Sequence, residues 1–156
     1  MKKYLKALLV VAVVSASAGA VAQQAQPKPE TLIKWRQSAF QVLAWSNARI
    51  KANVEGTYHK EEVVKAANAT AAIANSGLGA LFAPGTETGK GWHDTTTKPE
   101  LFKDGKRATE LFGNFNKEAN ELARVANTGD AAAVKDQFAK LGKTCKACHD
   151  DFKAKD

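Results

Sequence analysis

The sequence predicts an all-α protein, an antiparallel up-and-down four-helix bundle, and three observations carry that expectation. From Pro29 onward apolar residues recur at intervals of three and four, the spacing that lines one face of a helix. Turn punctuation cuts this pattern into four segments joined by two short links and one long loop, and short links set consecutive helices antiparallel. The last segment carries Cys145-Lys146-Ala147-Cys148-His149, a CxxCH run whose cysteines fall on its apolar stripe. No βαβ alternation and no internal repeat competes with this reading.

The first 22 residues stand apart. A basic opening (Lys2, Lys3, Lys6), an apolar run from Ala7 to Val14 and the small exit Ala20-Val21-Ala22 describe a secretory signal cleaved before Gln23. The apolar run is shorter than the roughly 20 residues of a spanning helix, so a retained membrane anchor is the weaker reading. Residues 23–156 then form one domain of ordinary size. Net charge is +7; the signal takes away three lysines and no acid, so 7 less 3 leaves +4. That balance describes a solvated surface rather than a nucleic-acid footprint, and it would suit an acidic redox partner.

The elements follow in order. Pro29-Glu30 opens the first helix, proline being tolerated in the first turn, and Ile33, Arg36, Phe40, Leu43, Asn47, Ile50 and Val54 step along one stripe to a stop at Gly56. The second helix is expected from about Lys60 to Asn75, ending at Gly77, with a small face of Val64, Ala67, Ala71 and Ala74 that a neighbouring helix or a second copy could approach closely. Residues 78–101 break the rhythm with Pro84-Gly85, Gly89, Gly91 and Pro99; a loop this long in a small domain usually has a task, here covering a cofactor edge. The third helix spans about Asp104 to Asn127 and buries Ala108, Leu111, Phe115, Ala119, Leu122 and Ala126. Thr128-Gly129 stops it. Asp130 caps the fourth helix, whose stripe is Val134, Phe138, Leu141, Cys145, Cys148 and Phe152.

The CxxCH run reads as a covalent haem attachment site. Positions i, i+3 and i+4 are neighbours on a helix, so two thiols can form thioethers with the haem vinyl groups while His149 gives a ring nitrogen to the iron. A structural disulfide or a thioredoxin-like pair would also use CxxC, but the latter is expected at a strand-to-helix junction. Zinc would need more ligands, and His59 and His93 are the only other histidines, with no third cysteine. Attachment at CxxCH needs reduced thiols outside a bacterial inner membrane, which with the signal points to the periplasm.

Three segments, Arg36-Gln37-Ser38-Ala39-Phe40, Phe82-Ala83-Pro84-Gly85-Thr86 and the C-terminal Cys-Lys-Ala-Cys-His, together with the signal peptide, resemble the cytochrome c' family of class II c-type cytochromes across the whole mature chain. The resemblance implies one haem c. It implies thioethers at Cys145 and Cys148 and His149 as proximal ligand, the only protein ligand to the metal. Arg36 and Gln37 match positions that meet the haem propionates, with Thr95 and Thr96 in a loop that does the same. Phe40 matches the distal position, and Lys153 a basic residue beside the proximal histidine. The family also commonly forms homodimers through the first two helices.

Simpler readings stand beside these. Arg36 could snorkel to solvent while packing only its stem, and Lys153 could be a solvated last-turn cation. His59 and His93 read as surface residues, and Trp35, Trp45 and Trp92 as packing or interface aromatics.

Ligand count separates two functions. The only methionine is Met1, lost with the signal, so the methionine ligand common in electron-transfer cytochromes is not available. The iron is expected to be high-spin and five-coordinate, its open position admitting NO and CO beside an apolar wall without a hydrogen-bond donor for dioxygen. The family name points to periplasmic electron transfer; the missing methionine points to a protein that buffers or senses NO. A peroxidase-like enzyme is disfavoured, because no distal histidine accompanies Arg36.

Overall fold

The computed structural model describes residues 27–155. The expected signal, residues 1–22, and its cleavage point before Gln23 lie outside the described residues.

The architecture is all-helical, with four long helices in a bundle: α1 (Pro29–Glu55), α2 (Lys60–Asn75), α4 (Gly105–Thr128) and α5 (Ala131–Phe152), with a short α3 (Glu100–Lys103) before α4. The long helices contact one another in a ring, α1 on α2, α2 on α4, α4 on α5 and α5 on α1, as an up-and-down bundle requires. Their ends are those the sequence marks. Pro29 opens α1 and Gly56 follows its last residue. Asp104 accepts a hydrogen bond from Arg107 N at the start of α4, and Asp130 accepts one from Ala133 N at the start of α5. Each side chain satisfies a backbone donor that the first turn leaves unpaired. Between these two helices Gly129 takes φ 81°, a left-handed value that costs other residues about 1 kcal/mol or more.

Two expectations need correction. The loop at residues 78–101 is not wholly irregular, because it begins in a 3-10 turn, Leu78–Leu81, and ends in the first residues of α3. Leu78 and Leu101 are buried, and anchoring these two leucines in the core fixes both ends. The buried face of α2 is also turned from the expected one. Val63, Ala66, Ala67, Thr70 and Ala71 are buried, whereas Val64 and Ala74 lie half-buried at its margin. Helix α2 is wedged between α1 and α4, so it buries a broader face than a single stripe. Ala66, Ala67 and Ala71 are thus buried inside the bundle, whereas Ala72 is exposed.

The helices thus meet in two unequal halves. At one end Ile50, Val63, Ala67, Ala119, Leu122 and Leu141 form a core with little or no exposure, where small residues let the backbones approach. At the other, a smaller cluster of Leu101, Ala108, Leu111 and Phe152 carries Cys148 and Phe82 at its edge. The close-packed end should tolerate no added volume: Ala67→Leu is expected to cost about 1–3 kcal/mol by overpacking. Urea unfolding of the holoprotein measures this, and an unchanged midpoint would show that the α2 face has spare room.

Candidate functional site

A cavity of about 520 Å³ opens in the looser end of the bundle, within the size range of small-molecule and cofactor sites. All eight residues singled out from the sequence line it: Arg36, Gln37 and Phe40 from α1, Thr95 and Thr96 from the loop, and Cys145, Cys148 and His149 from α5. Lys153 lines it too. The helices supply this by register. Residues 145, 148 and 149 are one helical turn, and Arg36 and Phe40 are another on the facing helix.

Arg36 is the centre of the polar end. Its side chain is 2% exposed, and its guanidinium donates to Leu81 O (3.2 Å), Thr86 Oγ1 (2.7 Å), Thr86 O (2.8 Å) and Thr95 Oγ1 (2.7 Å). The reading of Arg36 as a snorkelling surface cation is therefore corrected. The fork also lies over the Phe82 ring, 4.7 Å from its centroid. Burial draws its pKa below the usual value, with Glu87 opposing, yet a guanidinium remains charged in a protein. Among the described residues no carboxylate forms a salt bridge with it. A buried cation is costly unless it is paired or hydrogen-bonded, and here four acceptors and the field of Glu87 offset that cost.

The loop is pressed onto α1 beside it. Trp92 N donates to Gln37 Oε1 at 2.7 Å, and Gln37 Nε2 donates to His93 O at 2.9 Å. Gly91 permits this, because a Cβ there would stand 2.3 Å from Gln37 Oε1. His93, expected to be a plain surface residue, is exposed but borders the cavity. Its Nδ1 lies 3.3 Å from Gln37 Nε2 and 2.9 Å from Asp94 O. His59 stays at the start of α2, away from the site. Thr96 accepts from Ala154 N at 2.8 Å, which ties the loop to the segment just after α5.

The opposite wall holds the thiols and the imidazole. Cys145 and Cys148 are half-buried free thiols, and burial raises both pKa values, with Asp151 adding to the rise at Cys148. Burial thus favours the neutral thiol form of both side chains. Burial lowers the His149 pKa, with Lys153 acting in the same direction and Asp150 against. Its ring is accordingly neutral, the form that donates a nitrogen lone pair to a metal.

Between the two walls the lining is apolar. Phe40 meets Phe82 edge-on with centroids 6.2 Å apart, and Phe82 meets Phe112 at 5.5 Å. Leu43, Leu111 and Phe152 complete this part. Sequence reasoning had not assigned Thr86, Phe82, Phe112 or Asn47 to the site. Phe82 and Thr86 stood in a quoted segment without a role, and Asn47 was a polar residue on an apolar stripe. Gln41 and Asn47 bring carboxamides to the lining, so the wall is less uniformly apolar than expected. The buried Oδ1 of Asn47 has no hydrogen-bond partner.

An amphipathic macrocycle with two carboxylates fits this donor set. The thiols and imidazole lie on one helix, a buried cation on the facing one, and aromatic walls between. The Arg36 fork also has a structural duty that a lysine cannot fill, since a point charge cannot hold four acceptors in one plane. Arg36→Lys should destabilise the protein by about 2 kcal/mol or more and raise amide hydrogen exchange at residues 82–96. Unchanged exchange there would mean that the loop is held by other contacts.

Comparison with known proteins places the chain in context. A sequence profile described as Cytochrome C' matches residues 31–153. The cytochrome c' of Rhodocyclus tenuis is 66% identical over 130 residues, covering 83% of this chain and 98% of that protein. A solved cytochrome c' described as having an unusual ligand-controlled dimer dissociation superimposes with TM-score 0.81 at 44% identity, over 84% of this chain and all (100%) of that one. A nitric oxide complex of a mutant cytochrome c prime from Alcaligenes xylosoxidans gives TM-score 0.75 at 27% identity, over 84% and 99% of the two chains.

Proposed function

The chain belongs to the cytochrome c' family, whose members carry covalently bound haem c, and from that premise we propose that it binds nitric oxide and carbon monoxide in the periplasm. The observation that carries this reading is the cavity, which joins a CxxCH wall to an aromatic wall around Phe40 in a mature chain without methionine. Haem c supplies a one-electron Fe(III)/Fe(II) couple and an iron position open to diatomic gases.

The chain's own residues do the rest. Cys145 and Cys148 would hold the macrocycle through two thioethers, and His149, kept neutral by burial, would be the proximal ligand. Arg36 and Gln37, with Thr95 and Thr96, would receive the propionates, whose charge would offset the burial of the guanidinium. Phe40 would wall the free face, so a gas must displace its ring. The similar protein from Alcaligenes xylosoxidans, solved as a nitric oxide complex, supports this ligand class. Residues 1–22 would direct export and be removed.

Electron transfer is the second reading, favoured by the cavity's mouth. Thr95, Thr96, Thr97 and Lys153 border it, and Lys98 lies close by, donating to the Asp150 and Asp151 carbonyls. An acidic redox partner would meet a positive rim there.

A homodimer would use α1. Trp35, Val42 and Trp45 are 51%, 42% and 58% exposed and form one stripe beside the buried face of that helix. Trp92, 62% exposed, joins it through a hydrogen bond from Nε1 to Ser38 Oγ of 2.9 Å. Such large apolar side chains on one face mark an interaction surface, and the similar protein with ligand-controlled dimer dissociation points to a second copy as occupant.

Two outcomes are expected. The purified holoprotein should be high-spin in both oxidation states, without a near-infrared sulfur-to-iron charge-transfer band, and should bind NO and CO when reduced. A low-spin spectrum at neutral pH, or no NO binding, would sink the gas-binding reading. In sedimentation the native protein should run as a dimer and Val42→Glu as a monomer, whereas identical behaviour of the two would place the interface elsewhere.

A further inference from the structure

A second cavity, of about 580 Å³, lies between the end of α2, the 3-10 turn, α3 and the start of α4. It is not an isolated void. Leu78, Phe82, Leu101, Phe112 and Phe115 line both cavities, so the partition between them is one side chain thick. The shared ring Phe82 also touches Phe40, so the partition borders the distal wall of the haem cavity.

The chemistry of the second cavity selects for an apolar guest. Its polar side chains are already engaged: Thr109 Oγ1 donates to Gly105 O at 2.7 Å, and Asn116 Nδ2 donates to Ala74 O at 3.1 Å and to Asn75 Oδ1 at 2.8 Å. No charged side chain lines it. The rim is open because glycines stand at it. A Cβ on Gly105 or Gly113 would meet nothing within 4 Å.

The two rings of the partition differ in freedom. Phe82 is held between Phe40 and Phe112 under the Arg36 guanidinium. Phe112 has Phe82 on one side and the bare Cα of Gly79 near it on another, where a Cβ would stand 3.6 Å from the ring. Its neighbour in sequence is the side-chain-free Gly113. Phe112 is thus the less confined ring; a single carbon at Gly79 would only come into ordinary contact with it, and a branched side chain would press on it.

We propose that this second cavity is an antechamber for small apolar gases, and that they pass from it to the haem cavity by displacing Phe112. The proposal rests on the gas-binding reading and gives it a route. Dissolved NO and CO partition from water into apolar space, so such a chamber would concentrate them one side chain from their destination.

The test combines occupancy with kinetics. Crystals of the holoprotein under xenon pressure should show xenon against Leu78, Phe102 and Phe112. Gly79→Val confines the ring and Gly113→Leu crowds the rim, and neither backbone φ is left-handed. Leucine also favours a helix over glycine, so Gly113→Leu is expected to fold. In flash photolysis and stopped flow both variants should lower CO association and dissociation together, by about threefold or more, with affinity unchanged. Phe112→Ala should raise both rates by a common factor. An empty second cavity under xenon, or CO rates indifferent to both glycine substitutions, would overturn the antechamber while leaving gas binding intact. A native protein that takes up xenon there but binds no CO would overturn the gas-binding reading, and the antechamber with it.

Discussion

The buried guanidinium of Arg36 is the interaction on which the rest of this site depends. It touches the long loop near its start at Leu81, in its middle at Thr86 and again at Thr95, so three points of the loop are referred to one rigid fork. The loop is also held by Gln37, which pairs with Trp92 N and His93 O, and by its seam to the residues after α5, but among the described residues only the fork of Arg36 gathers its first half onto α1. A buried charge is expensive unless it is hydrogen-bonded, and here the loop supplies the four acceptors that offset the cost. The same side chain that orders the loop is the cation that the proposed propionate contacts would use.

The bundle divides its labour along its length. At the alanine-rich end small residues on α2 and α4 bring the backbones together and leave no room. At the other end α1, α4 and α5 carry Phe40, Leu43, Leu111, Phe112 and Phe152, large side chains that do not close against one another, and a cavity results. Rigidity at one end therefore holds the walls apart at the other. This is an economical way for four helices to keep an apolar slot from collapsing, since close-packed interiors transmit strain rather than absorb it.

What the sequence revealed followed from how local each feature is. CxxCH, the Asp130 cap, the Gly129 stop and the Pro29 start are fixed by residues within a turn of one another, and all lie where expected. Arg36 was legible as a charge on an apolar stripe, but its chief partner Thr86 was not, because a contact across 50 residues is chosen by the fold and not by spacing. The face of α2 was misjudged for a related reason. Alanines at 66, 67, 69, 71, 72 and 74 give two adjacent faces nearly equal hydrophobicity, so periodicity has little contrast to read. His93 was placed at the surface, which is correct for its exposure and silent about the cavity it borders.

The segment after His149 has a consequence for the order of assembly. Ala154 N bonds to Thr96 O and Lys98 N to Phe152 O, both at 2.8 Å, so the loop carrying Thr95 is zipped to residues that follow the attachment motif. Residues that follow the cysteines are synthesised after them, so the seam can form only once the whole motif has been made. Until then that edge of the cavity has no seam to close it.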